Sequence, residues 1–179
     1  MKLLQGFALI CIILMTSGCL TYQIYEVTAV FNDDFSRAAV TATYTDIRSS
    51  EKDSVKQRED FDDLIKKYQE DDFLLEEVGS GIYVKERRIF EKNGQINASY
   101  SGVFKQVEPL KVKGDERYIL LEDVDPGDKI ESNGKVLRSK EIALLVWPKE
   151  LKKISYKVTK AWDKPTYSLL HFYNEWLKK

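Results

Sequence analysis

The chain has 179 residues, with 28 Lys+Arg against 29 Asp+Glu and a formal net charge of −1. That balance, without any dense Arg/Lys cluster interleaved with aromatics, argues against a nucleic-acid partner. The two cysteines, Cys11 and Cys19, both lie in the first 19 residues, so no disulfide ties the remainder together and its stability has to come from packing.

The first element is a leader. Met1-Lys2 supplies a positive start, Leu3 to Met15 is apolar apart from Gln5 and Gly6, and Thr16-Ser17-Gly18 are small residues before Cys19. A charged start, an apolar run and a small-residue zone are the parts of a secretory signal. A permanent span wants about 20 predominantly apolar residues, and Leu3 to Leu20 falls short of that. Met15-Thr16-Ser17-Gly18-Cys19 resembles the lipobox of bacterial lipoproteins, with Thr16 where a Leu is usual. The resemblance implies removal of residues 1–18 as a signal peptide, diacylglycerol on the Cys19 thiol and an acyl chain on its new amino group. The alternatives are an uncleaved anchor and an ordinary signal peptide. Each buried methylene contributes about 0.8 kcal/mol, so two or three chains on one Cys hold the protein to a membrane. Leu20 stands where an Asp would signal inner-membrane retention. The implied location is therefore the bacterial cell envelope, on the outer membrane and facing periplasm or surface in a Gram-negative cell.

Loss of residues 1–18 from the 179 leaves 161, which suits one domain, with residues 19–21 as a very short tether and residues 22–179 as the folded part. Tyr22 to Phe31 is rich in β-branched and aromatic residues, Asn32-Asp33-Asp34 has turn chemistry, and Phe35 to Ile47 alternates. Ala38, Val40, Ala42 and Tyr44 share one side, so the pair reads as an antiparallel hairpin. Ser49 to Glu70 reads as a helix capped by Asp53 or Ser54, with Phe61, Leu64, Ile65 and Tyr68 in one stripe. Ile82 to Glu91 and Ile96 to Phe104 flank Asn93-Gly94, a two-residue hairpin turn. Pairing Lys92 with Gln95 then sets Ile89 opposite Ala98, Arg87 opposite Tyr100 and Tyr83 opposite Phe104, with Tyr83 on the buried face. Further strands are expected at Arg117 to Glu122, Lys129 to Leu137, Ile142 to Trp147 and Ile154 to Thr159, with Asp125-Pro126-Gly127-Asp128 as a turn. Pro165 to Leu177 reads as an aromatic C-terminal helix. The expected class is α+β: a largely antiparallel sheet built from hairpins, one central amphipathic helix and a short C-terminal helix.

Chemistry finds few footholds. Beyond Cys19 there is no cysteine, and the single histidine, His171, falls inside the aromatic helix, where a packing or surface role is the ordinary one. Gly79-Ser80-Gly81 lacks the surroundings of a nucleophile elbow. Asp123-Val124-Asp125-Pro126-Gly127-Asp128 gathers carboxylates, but Pro126 breaks the register of a calcium loop and turn formation accounts for it. No zinc spacing or phosphate-cradling glycine loop is present. No catalytic, cofactor-binding or metal-binding residue is assigned, and Cys19 is the one site residue. From Lys149 onward 8 Lys+Arg face 3 Asp+Glu, a basic tail that reads as a solvated face, with anionic headgroups as the alternative contact.

From Pro126, "PGDKIESNGKVLRSKEIALLVWP" is similar to LppM-type bacterial lipoproteins, in which a Pro-Gly turn leads to a strand ending Ser-Asn-Gly and a later strand carries a Trp. The hairpin Tyr22 to Ile47 is reminiscent of the same group. The resemblance covers about a third of the part after Cys19 and implies an α+β domain, with lipid or glycolipid binding suggested for some members. Members often carry a C-terminal span, which Trp176-Leu177-Lys178-Lys179 does not resemble. The expected function is a non-enzymatic, lipid-anchored envelope lipoprotein that binds a lipid, glycan or protein partner at the membrane surface. The alternative is a structural or assembly factor of an envelope complex.

Overall fold

The structure, a computed structural model, describes residues 20–69, 82–104, 111–122, 124–162 and 164–178. In chain order the elements are β1 (Leu20–Phe31), β2 (Ala38–Ser49), α1 (Ser54–Gln69), β3 (Ile82–Lys92), β4 (Gln95–Phe104), β5 (Lys111–Lys113) and β6 (Glu116–Leu121). They continue with β7 (Lys129–Ser132), β8 (Lys135–Arg138), β9 (Ala143–Pro148), β10 (Lys153–Thr159), β11 (Tyr167–Ser168) and α2 (Leu170–Trp176). The class is α+β. Strands β3-β4-β2-β1-β10-β7 form the large sheet, with β11 also paired to β2, and β5-β6-β9-β8 form the small one. The strand pairings in both sheets are antiparallel.

Alternation builds the core. In β2, Ala38, Val40, Ala42 and Tyr44 are buried, and across the ladder they meet Phe31, Ala29, Val27 and Tyr25 of β1. At Asp46 the backbone turns left-handed (φ 57°), and the buried set passes from even to odd positions at Ile47 and Ser49. Asp tolerates that conformation because its short polar side chain bonds locally. Asn97 accepts a hydrogen bond from the Asp46 N–H (3.3 Å), and Arg48 Nε donates to Asp46 Oδ1 (2.9 Å). The switch lets Tyr22 and Ile47 join the same hydrophobic cluster as Tyr25 and Tyr44. Tyr25 stacks on Tyr44 at 4.7 Å, and Tyr22 meets Tyr44 edge-on at 5.1 Å. Such ring pairs contribute about 0.5–1.5 kcal/mol each beyond their burial.

The small sheet supplies Ile119, Leu145 and Trp147 to this cluster, all at most 2% exposed. The helices supply Phe61 and Leu64 from α1 and Phe172 and Tyr173 from α2. Phe61 and Phe172 lie 6.1 Å apart, and Arg58 Nη1 donates to Glu175 Oε2 across the helix pair (2.8 Å). Asp53 caps α1, accepting from the N–H groups of Val55 (2.8 Å) and Lys56 (3.2 Å). Ser54 is therefore the first helical residue and not the cap, and the Gln57 side chain turns back to donate to the carbonyls of Glu51 and Lys52.

Four expectations are corrected. The Asn93-Gly94 turn forms with positive φ at both residues (57° and 75°), and Lys92–Gln95, Ile89–Ala98 and Arg87–Tyr100 pair as the spacing requires. Beyond Glu86 a bulge shifts the register, so Tyr83 faces Val103, not Phe104, and lies 38% exposed. The bulge carries the Tyr83 carbonyl over Gly102, where a Cβ would sit 2.6 Å from it. Lys129 to Leu137 is not one strand: β7 belongs to the large sheet and β8 to the small one, with Asn133-Gly134 as the corner between them. The C-terminal helix is shorter than 165–177, because Tyr167 and Ser168 pair with Ser49 and Arg48 before α2 begins. Pro165, which disfavours helix at the residue before it, suits that extended approach. Finally, Leu20 belongs to β1, where it pairs with Ser49, and not to a tether before the fold, and β5 is a further strand.

Candidate functional site

Cys19, the one residue to which the sequence assigns a site, lies outside the described residues, as do Gly79-Ser80-Gly81 and Asp123. Leu20 is buried and begins β1, so the chain enters the large sheet at the end that carries Ser49, β11 and the Asn93-Gly94 turn.

The carboxylates around Pro126 are structural. Asp128 is 3% exposed, and its oxygens accept from Lys160 Nζ (2.7 Å), Ala161 N (3.0 Å) and Asp125 N (3.1 Å). Asp128 N–H closes the turn on the Asp125 carbonyl (2.9 Å), and Arg138 donates to the carbonyls of both Asp125 and Asp128. A Cβ at Gly127 would sit 2.7 Å from that of Ala161. This is a clasp joining β7, β8 and the end of β10. Among the described residues, no three His, Cys, Asp or Glu side chains converge to hold a metal ion. His171 is exposed on α2 with its ring 3.7 Å from that of Phe172.

One charged group stands apart. Arg117 on β6 shares the inward register of Ile119 and Leu121 and is only 5% exposed. Its guanidinium carbon lies 4.4 Å from the centroid of Phe31, at the end of β1, and 4.2 Å from that of Phe35. Burial pushes its pKa below the ordinary arginine value, and the charge of Glu150 works the other way without offsetting it. Phe35 sits in the turn after β1 at φ 58°. Asn32 Oδ1 accepts from Arg37 N (3.0 Å) and Asp34 Oδ1 from Ser36 N (2.9 Å), which holds that turn. Ser36 also keeps the Asp34 carboxyl below the usual carboxylate range. Sequence reasoning passed over Arg117: its parity with Ile119 and Leu121 is only a local hint, because Tyr118 and Leu120 make the other face apolar too, and the rings that enclose it lie far off in the chain.

A second surface lies on the outer side of the small sheet. Leu120 and Leu137 both pair with Leu144, and Leu120, Leu137 and the nearby Ile142 are 39%, 43% and 43% exposed. Among the described residues, no helix is long and apolar enough to cross a membrane. No family model, curated protein or solved structure matches this chain.

Proposed function

We propose that the protein is a lipid-anchored lipoprotein of a bacterial envelope, attached through acyl chains on Cys19, and that it works by binding a lipid, glycan or protein partner, not by catalysis. The observation that carries this reading is the leader itself: a positive start, an apolar run and Met15-Thr16-Ser17-Gly18 before Cys19. The start of β1 at Leu20 supports it, because an anchor at Cys19 would leave almost no tether and hold the folded domain against its membrane. The turn and Trp pattern shared with LppM-type lipoproteins supports an envelope role of the same kind. In this reading α1 is the central amphipathic helix, with Phe61, Leu64, Ile65 and Tyr68 turned to the sheets. Cys19→Ser tests the anchor. The variant is expected to accumulate as unprocessed precursor and to lose labelling by a fatty-acid analogue, and unchanged processing and labelling would remove the reading.

The row formed by exposed Leu120 and Leu137 on either side of half-buried Leu144 favours a second reading, a structural or assembly factor that docks through the small sheet. Replacing Leu120 and Leu137 with Glu should then leave the fold intact and abolish cross-linking to an envelope partner.

A further inference from the structure

Among the described residues, the buried charged side chains are matched to hydrogen-bonding partners, with one exception. Asp60 accepts from Ser49 Oγ (2.5 Å), Asp46 from Arg48 and Asp128 from Lys160. Arg117 is as buried as they are, yet its Nη1 has no hydrogen-bond partner, and no carboxylate of the described residues lies within 4.0 Å of the guanidinium. A guanidinium carries five N–H donors and no acceptor. The rings of Phe31 and Phe35 favour its charge through their π faces but offer no lone pairs to its N–H groups. Buried donors left unmatched are rare in native structures, and a bound ion is one of the explanations for such a group.

We propose that Arg117 is the recognition point for a small oxyanion group, a carboxylate or phosphate, bound between the β1–β2 turn and the small sheet. The fork of a guanidinium matches the two oxygens of such a group, and charge-assisted bonds of this kind are about twice as strong as neutral ones. An anion also removes the cost of burying the cation, which a water molecule does only in small part. Phe31 is a core residue at the end of β1, whereas Phe35 is half-buried on the turn, so Phe35 is the part of the enclosure that an entering ligand displaces. Its left-handed backbone is the kind of local strain that binding sites retain. This inference does not depend on the anchor at Cys19.

The test is thermal unfolding of the full chain in inorganic phosphate and in sodium acetate, each against sodium chloride at matched ionic strength. The wild type should show a saturable rise in Tm with at least one of the two anions, as mass action requires of a ligand of the native state. Arg117→Met should fold and lose the response. Arg117→Lys keeps the charge but not the fork, and its apparent affinity should fall about tenfold or more. Phe35→Ala, which uncovers the guanidinium without altering it, should keep the response. Co-sedimentation with phosphatidylglycerol vesicles that Arg117→Met loses would assign the oxyanion to a lipid headgroup. A response to free anion without such binding would assign it to a soluble ligand. The proposal is overturned if the wild type shows no saturable response to either anion. It is equally overturned if Arg117→Lys, or a folded Arg117→Met, responds as the wild type does.

Discussion

Replacing Gly134 with alanine tests the corner at which the chain leaves the large sheet for the small one. Asn133 fixes that corner through four hydrogen bonds. Its Oδ1 accepts from Trp147 Nε1 (2.9 Å) and Ser155 N (2.8 Å), its Nδ2 donates to the Lys153 carbonyl (2.8 Å), and its N–H donates to the Ser155 carbonyl (3.2 Å). Gly134 follows directly against the indole. A Cβ there would lie 2.4 Å from Trp147 Cδ1, 2.4 Å from the Val146 carbonyl oxygen and 2.5 Å from Trp147 Nε1. Ordinary contact begins near 3.4 Å, so either β8 moves off β9 or Trp147 moves, by about 1 Å. Trp147 is fully buried and cannot swing without losing its bond to Asn133. Overpacking costs about 1–3 kcal/mol, and a lost hydrogen bond adds about 1 kcal/mol. Gly134→Ala should therefore destabilise by ~2–4 kcal/mol, a fall in Tm of ~6–12 °C for a chain of this size. Gly114 (φ 62°, with nothing within 4 Å of its Cβ position) is the control. There only backbone strain acts, and Gly114→Ala should cost about 1 kcal/mol. A Gly134→Ala protein that melts with the wild type, or no lower than Gly114→Ala, would refute the packing argument.

Two further outcomes are expected. Gly94 has open space around it but φ of 75°, so Gly94→Val should lose about 1–3 kcal/mol from strain alone, read from the midpoint of a denaturant melt; an unchanged midpoint would count against the turn. Asp34 is held below its usual value of 3.8 by Ser36, so its charge stabilises the fold above the unfolded-state pKa and ceases to do so as pH falls through the lower folded value. Asp34→Asn keeps an acceptor and removes the titration, so the wild type should be the more stable of the two at pH 7 and the difference should shrink as pH drops below 3.8; a difference independent of pH would contradict this.

Much of the large sheet was legible because its signals are local. Asn93-Gly94 demands positive φ at both positions, which few other dipeptides accept, and the alternation of Ala38 to Tyr44 names the buried face. The same logic failed at Tyr83, because a bulge changes parity without changing composition. Gly102 marked the place, but its meaning depends on how closely the Tyr83–Val84 backbone passes over it. The second Asn-Gly pair, Asn133-Gly134, shows the limit most clearly. Two identical dipeptides serve as a hairpin turn in one case and as a corner between sheets in the other, and the difference lies in what packs on them.

Alternation, turn chemistry and capping, which act over a few residues, determined by themselves the antiparallel character of this protein, most of its strands, a helix capped by Asp53 or Ser54 and the buried side of the first hairpin. Tertiary structure alone decided the division into two sheets, the reset of register at Asp46, the clasp of Asp128 with Lys160 and Arg138, and the burial of Arg117 between Phe31 and Phe35. Each of these joins residues distant in the chain. The energy that selects them comes from desolvation and close packing between those residues, quantities that no single stretch of sequence contains.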